Sequence, residues 1–435
     1  GKYLSVIINL EGKRALGFVE RSSYTMVNAV RFGGNYEAGD YYWVNDERVV
    51  IKMVTSQPWS KEPAYYGELY AVNWDGKKGA MIYGYTAAQQ QTGKLIKQRE
   101  GIQGWAEIVD LYAKDDRKIV ISSTPWGEDG NRVPELLLMD VYSGKTRKIA
   151  HGPAPYSRFI VDDNGEPVLG FAVDNHNDRV VFRYNRKDED WTEVPKQKFG
   201  NDFFPIALND TQDGVYVFDD FQQDKRGLFE LKLADFSYKE IFTDAKVDIT
   251  SFESTKDGNK VFAFKLDDGR PSYVLFTEKY TEAKLFKELL VTFAGDALNI
   301  TSKTTDNKLW VVYSYSDVNP GSYFLYDAEK NSISQLFTSR PYLADAKMSA
   351  TKPISFSSFD DTVIHGYFTA GKNQSDNKPL IVNVHGGPHG IRDYWGYDGE
   401  VQLLAHAGYS VLQVNFRGSG GYGNKLQEAG YMQWG

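Results

Sequence analysis

The sequence predicts an all-β seven-bladed propeller over residues 1–345, followed by the N-terminal part of an α/β domain over 346–435. Three observations carry that prediction. A strand–turn–strand pattern recurs through the first three quarters of the chain, residues 379–423 read as strand, glycine loop, helix and strand, and 435 residues are too many for one hydrophobic core. An aromatic content of 14% with 40 glycines suits a β-rich chain with many turns. The formal net charge of -8 gives no basis for a nucleic-acid partner. No apolar run reaches 18 residues, so no membrane partner is expected. There is no cysteine, which removes disulfides and thiolate metal sites and leaves the compartment open between cytoplasm, periplasm and exterior. The first residue is Gly1 rather than Met, so the expectation is a chain that begins inside a blade, with any signal peptide upstream. The oligomeric state has no signature here.

The repeat is a strand pair with a polar turn, at 15–32, 68–84, 136–152, 180–195, 228–244, 273–288 and 323–339. Each copy follows a more apolar strand: YLSVIINL, RVVIKMV, KIVISS, PVLGFAV, GVYVF, KVFAFKL and KLWVVYSY. A spacing of roughly 45 to 65 residues is that of propeller blades. A lone unit of this size cannot bury both faces, so seven would close into a ring, with the apolar strand of each nearest the axis. The competing architecture is a row of β-sandwiches. Within residues 1–345 a Trp-Asp pair (Trp74-Asp75) and a Gly-Gly pair (Gly33-Gly34) each occur once, too rarely for the WD or kelch patterns.

Arg340-Pro341 closes the seventh unit and Lys352-Pro353 restarts the chain. Residues 354–370 are a hairpin turning at Asp360-Asp361, and 372–378 form a polar loop. Residues 379–384 are β-branched and apolar, the pattern of a buried parallel strand. His385-Gly386-Gly387-Pro388 follows directly. Two glycines after a strand leave backbone N–H groups unobstructed, and such a loop can donate to an oxyanion, as the HGG-type loop of α/β-hydrolases does. Residues 400–407 read as a helix with Val401, Leu404 and Ala405 on one face, ended by Gly408, and 409–416 as a second buried strand.

HGGPHG, the run AHAGYSVLQVNFRGSGGYG and the trailing AGYMQWG resemble the prolyl oligopeptidase family of serine peptidases, most of all its acylaminoacyl-peptidase and dipeptidyl-aminopeptidase branch. The resemblance implies a serine-type peptidase that cleaves short peptides by acyl transfer, needs no cofactor or metal, and uses its propeller to limit access. It implies the Gly387 N–H as one oxyanion donor, with His385, Gly386 and Pro388 supporting the loop. The family's G-x-S-x-G elbow is not in this sequence. Ser, Asp and His of the triad are therefore expected after Gly435, and a chain truncated there is expected to be inactive and unlabelled by a fluorophosphonate. The alternatives are a non-catalytic propeller binding module and an esterase or lipase of the same fold.

Other constellations have plainer explanations. Residues 418–423 match G-x-G-x-x-G, but a dinucleotide site needs a helix and an acidic residue further on. Ser419 lacks the glycine two residues before it that a nucleophile elbow requires, and reads as a turn residue. Arg417 ends a sheet strand, where it either anchors a substrate carbonyl or braces the loop. His389 either contacts substrate or lies on the surface. His385 reads as a structural support, and His365 and His406 have no acidic neighbour in sequence. Asp174, His176 and Asp178 alternate like metal ligands, yet DNHND is rich in turn formers. Lys187–Asp190 is a solvated hairpin tip, and Asp162–Gly165 lacks calcium-loop spacing.

Overall fold

A computed structural model describes residues 1–88, 101–127, 132–372, 379–387 and 389–433. The chain divides into two compact units, Gly1–Lys198 and Phe199–Gly435. Among the described residues there are seven blade-like antiparallel sheets followed by one mixed sheet.

The first unit holds four meanders. Tyr3–Leu10, Lys13–Glu20 and Thr25–Val30 form a three-stranded sheet. Four-stranded sheets follow from Tyr36–Trp43 to Ala80–Tyr83, from Gly104–Asp110 to Thr146–His151, and from Arg158–Val161 to Asp190–Glu193. Neighbouring sheets bury their faces on one another. Leu16 and Phe18 pack with Val49 and Ile51, then Val50, Leu69 and Ala71 pack with Ile119, Ile121 and Met139. Apolar burial between sheets is the main stabilising term, since one meander leaves both faces wet.

Arg48 is fully buried in this unit and ties two sheets together. Its Nη2 donates to the Val141 carbonyl at 2.8 Å, its Nη1 to the Lys78 carbonyl at 2.7 Å and to Asn73 Oδ1 at 3.1 Å. The guanidinium lies 4.7 Å from the Tyr142 ring centroid. A fork of five donors can satisfy several carbonyls at once, which makes arginine tolerable here where lysine would not be.

The second unit continues with a four-stranded meander from Phe204–Leu208 to Tyr238–Phe242, a three-stranded sheet (Ile249–Ser254, Val261–Asp268, Arg270–Leu275) and a four-stranded one from Ala297–Lys303 to Ser332–Thr338. The middle sheet corrects the sequence reading. Residues 273–288 are not a strand pair, because a helix at Thr281–Thr292 takes the place of the second strand. Its Ala283, Phe286 and Leu289 are buried among Phe262, Leu298 and Trp310, a helical spacing that the polar residues around them hid. The placing of the apolar strands is corrected too. In every sheet but the first they are the second strand, paired on both sides, so their apolarity reflects an interior position and not an edge beside an axis.

The mixed sheet runs in the order Thr351–Ser357, Val363–Thr369, Ser410–Asn415, Leu380–Asn383. Leu380–Asn383 is parallel to Ser410–Asn415, as its composition predicts. It is not buried. It is the sheet's edge strand, and Leu380 and Val382 are 53% and 54% exposed. The Gly399–His406 helix is capped by Asp398, whose side chain accepts from the Glu400 and Val401 N–H groups, satisfying two donors that a helix start leaves open.

Asp219, buried at the end of Gly214–Asp219, accepts from the Gly200 N–H and the Tyr238 hydroxyl, both at 2.7 Å. Burial pushes its pKa up from 3.8 to about 7.

Two expected outcomes follow from these buried groups. Arg48→Leu strands three acceptors and is expected to cost roughly 3–5 kcal/mol in urea unfolding. Asp219 binds its proton more tightly folded than unfolded, so its contribution is complete below about pH 4 and is lost as pH rises through 7. The full loss is on the order of 4 kcal/mol. Asp219→Asn should remove that slope between pH 4 and 7.5, read as the difference between the unfolding curves of wild type and variant.

Candidate active site

The site is built where two glycine loops meet at the carboxyl ends of the parallel pair. The first, after Leu380–Asn383, contains His385, Gly386 and Gly387; Pro388, the remaining predicted support, lies outside the described residues. The second, Gly418–Gly423, follows Ser410–Asn415. The Gly390 N–H donates to the Gly418 carbonyl at 2.9 Å, and the Gly420 N–H donates to the Ile391 carbonyl at 3.2 Å. This lacing depends on a missing side chain, for a Cβ on Gly420 would stand 2.6 Å from the Gly390 carbonyl oxygen.

Gly386 and Gly387 are exposed. Gly387 has φ +136°, a region that side chains rarely adopt, and a Cβ there would also stand 3.3 Å from the His389 nitrogen. Among the described residues nothing accepts a hydrogen bond from the Gly387 N–H. An exposed, unpaired amide at the end of a parallel strand can donate to a carbonyl oxygen as it gains negative charge.

His385 supports the loop from within. Its Nδ1 is 2.8 Å from the Gly386 carbonyl and its Nε2 3.0 Å from Ser419 Oγ, while its ring stacks on Phe416 at 4.4 Å. The carbonyl at Nδ1 requires a proton there, which leaves Nε2 to accept from the Ser419 hydroxyl. A serine bonded to a histidine has the outline of a nucleophile and its base. Two facts speak against that role: Ser419 is 0% exposed, and the orienting group at Nδ1 is a carbonyl in place of a carboxylate. Ser419 also closes a turn, its N–H donating to the Phe416 carbonyl.

The remaining candidates spread out. Arg417 makes an ion pair with Asp360 at the hairpin tip and lies 5.2 Å from the Phe359 ring centroid. The His389 ring meets Tyr431 edge-on at 4.7 Å. His365 stacks on Tyr422, and burial lowers its pKa. Asp174 accepts from the N–H groups of His176 and Asp178, making DNHND a turn closed on its own carboxylate.

Sequence reasoning did not single out the residues that hold the two loops from below. Arg392 is buried, donates to Tyr422 Oη at 2.6 Å and to the Asp267 carbonyl at 3.3 Å, and stacks over the Tyr422 ring at 4.0 Å. Asn415 clamps Asp393, its Oδ1 accepting from the Asp393 N–H at 2.8 Å and its Nδ2 donating back to the Asp393 carbonyl at 3.1 Å. Burial raises the Asp393 pKa, against the opposing influence of His385. One signal was available: an asparagine at the end of an interior strand needs buried partners.

Residues 395–435 match the model of the prolyl oligopeptidase family. Dipeptidyl aminopeptidase BIII of Pseudoxanthomonas mexicana is 30% identical over 299 residues, covering 64% of this chain and 43% of that protein. Dipeptidyl peptidase family member 6 of Caenorhabditis elegans is 32% identical over 184 residues, 37% of this chain and 25% of its own length. The chain thus spans less than half of these relatives. Among solved structures, prolyl oligopeptidase B from Galerina marginata aligns with TM-score 0.63 at 10% identity, over 99% of this chain and 64% of that one. Pyrococcus horikoshii acylaminoacyl peptidase aligns with TM-score 0.59 at 14% identity, over 98% and 64%. At such identities these two likenesses speak for the fold. With the glycine loops and the fold that carries them, the sequence matches make this chain similar to members of the prolyl oligopeptidase family.

Proposed function

We propose that the protein carrying this chain is a serine-type peptidase that cleaves short peptides by acyl transfer, with the Gly387 N–H as an oxyanion donor. The observation that carries the reading is that amide: exposed, free of a described partner, and held by a loop laced to its neighbour. In the reaction a serine hydroxyl attacks the scissile carbonyl, its proton passes to a histidine, and the carbonyl oxygen takes the negative charge. A donor already aimed at that oxygen stabilises the charged state more than the neutral one, which is the condition for acceleration.

The roles of the neighbouring residues follow. His385 and Gly386 hold the loop, and Ser419 belongs to that brace. His389, two residues beyond Gly387, is the proposed substrate contact. Arg417 is proposed to brace the hairpin tip, in keeping with its pairing to Asp360. The repeat is assigned to residues 1–345 and the peptidase part to 346–435, since the last blade-like strand ends at Thr338 and the mixed sheet begins at Thr351. Limiting access is the role proposed for the repeat.

The test uses the full-length natural protein. It is expected to cleave dipeptidyl and N-acyl-aminoacyl p-nitroanilides and to be labelled by a serine-directed phosphonate, with the label still attached, at whatever rate, in Ser419→Ala. Hydrolysis of long-chain esters without amide cleavage would make it an esterase, and neither activity would leave a binding module. Gly387→Ala forces a strained φ on the donor loop and is expected to lower kcat by about 10²-fold or more, the cost typical of a lost oxyanion donor. A kcat within a factor of three of wild type would remove Gly387 from the mechanism.

A further inference from the structure

The second glycine loop is gripped from the blade side by groups that the reaction does not use. The Gly423 N–H donates to Asp248 Oδ2 at 3.1 Å, and the Lys425 N–H to Asp224 Oδ1 at 2.7 Å. The Asn424 N–H donates to the Asp224 carbonyl at 2.9 Å, and the Asp248 N–H to the Gly421 carbonyl at 3.1 Å. Lys225 Nζ reaches the Tyr422 carbonyl at 2.6 Å while pairing with Asp224 at 2.5 Å. Three of these contacts are made to the loop's own backbone at Gly421, Tyr422 and Gly423, and two to the first turn of the short helix Asn424–Glu428 that follows it, so together they set the loop's path and do not merely cover its side chains. Carboxylates accepting from backbone N–H groups make the stronger class of hydrogen bond.

The grip continues to the first loop at Gly390, Ile391 and Arg392, and through Ser419 to His385. Tyr422 receives Arg392 from the first loop, and the Gly390–Gly418 and Gly420–Ile391 bonds lace the loops directly. Ile364, Tyr422 and Leu426 lie in one apolar cluster with Val247, Ile249 and Leu266 of the neighbouring blade-like sheet, so the polar grip sits on a packed base. A hydrogen-bonded chain on such a base transmits displacement instead of absorbing it.

We infer that Asp224, Lys225 and Asp248 are positioning residues for the Gly387 N–H, acting on it through the second glycine loop. The catalytic part of this inference rests on the peptidase reading above; the mechanical part does not. The blades then contribute to the rate itself, beyond any control of access, because their carboxylates fix where the oxyanion donor stands.

Asp248→Ala and Lys225→Met in the full-length natural protein test this by two readouts. The first is hydrogen exchange at the Gly390 and Gly420 amides, which are bonded between the loops and not to any blade residue. Faster exchange there is expected in both variants, with Asp248→Asn, which keeps one acceptor oxygen, in between. The second is turnover, where kcat should fall about tenfold or more with KM within about threefold, since misplacing a catalytic group by an ångström can cost 10²-fold. Exchange that quickens only at 421–425, or a kcat that stays put, would overturn the inference. Should Asp248→Ala fail to fold, Lys225→Met decides, because its loss leaves both carboxylates in place. If wild type shows no turnover while the exchange still spreads between the loops, the peptidase reading fails and the mechanical coupling stands.

Discussion

The contact on which the site depends is the pair of hydrogen bonds that laces one glycine loop to the other, Gly390 to Gly418 and Gly420 to Ile391. Each loop alone is a glycine-rich connection of the kind that samples many conformations. Joined, they restrict one another, and the absence of a Cβ at Gly420 is what permits the approach. In the proposed role, the exposed Gly387 amide would serve only because its neighbours are held in place. An oxyanion donor works by being in place before charge develops, so the energy of holding it is supplied by folding and not during the reaction.

The same device appears in both compact units: a buried arginine that donates to backbone carbonyls and to a neutral side-chain oxygen beside an aromatic face, with no ion pair to a carboxylate among the described residues. Arg48 spans two sheets in the first unit, and Arg392 spans the two loops and a blade strand in the second. Removing a guanidinium from water is costly, and a carboxylate partner would have to be desolvated as well. Carbonyls at strand ends already lack partners, so using them as acceptors satisfies both sides. The two arginines therefore fix geometry at places where apolar packing alone, being non-directional, cannot.

Much of the fold was legible in advance. Alternation and turn chemistry marked the blade-like strands, and glycine after an apolar run marked both loops. The helix at Thr281–Thr292 was hidden because it occupies the place of an expected strand and its buried face shows only three apolar residues, Ala283, Phe286 and Leu289, beside the buried Glu282. The open edge at Leu380–Asn383 was equally hidden, since an apolar run signals burial whether or not a neighbour covers it. Of the candidate site, the first glycine loop and its histidine could be located along the chain, whereas the blade carboxylates could not. Asp224 and Lys425 are two hundred residues apart in sequence and look like ordinary surface charges.

By itself the sequence determined which segments are strands, where the chain must turn without a side chain, and which backbone amides could be left bare. Those are local properties, set by side-chain size and polarity along a few residues. Only the tertiary structure decided that the two glycine loops meet, that Ser419 is closed off against His385, and that a blade grips the loop from below. These depend on distance in space between remote positions, and no periodicity along the chain encodes that distance.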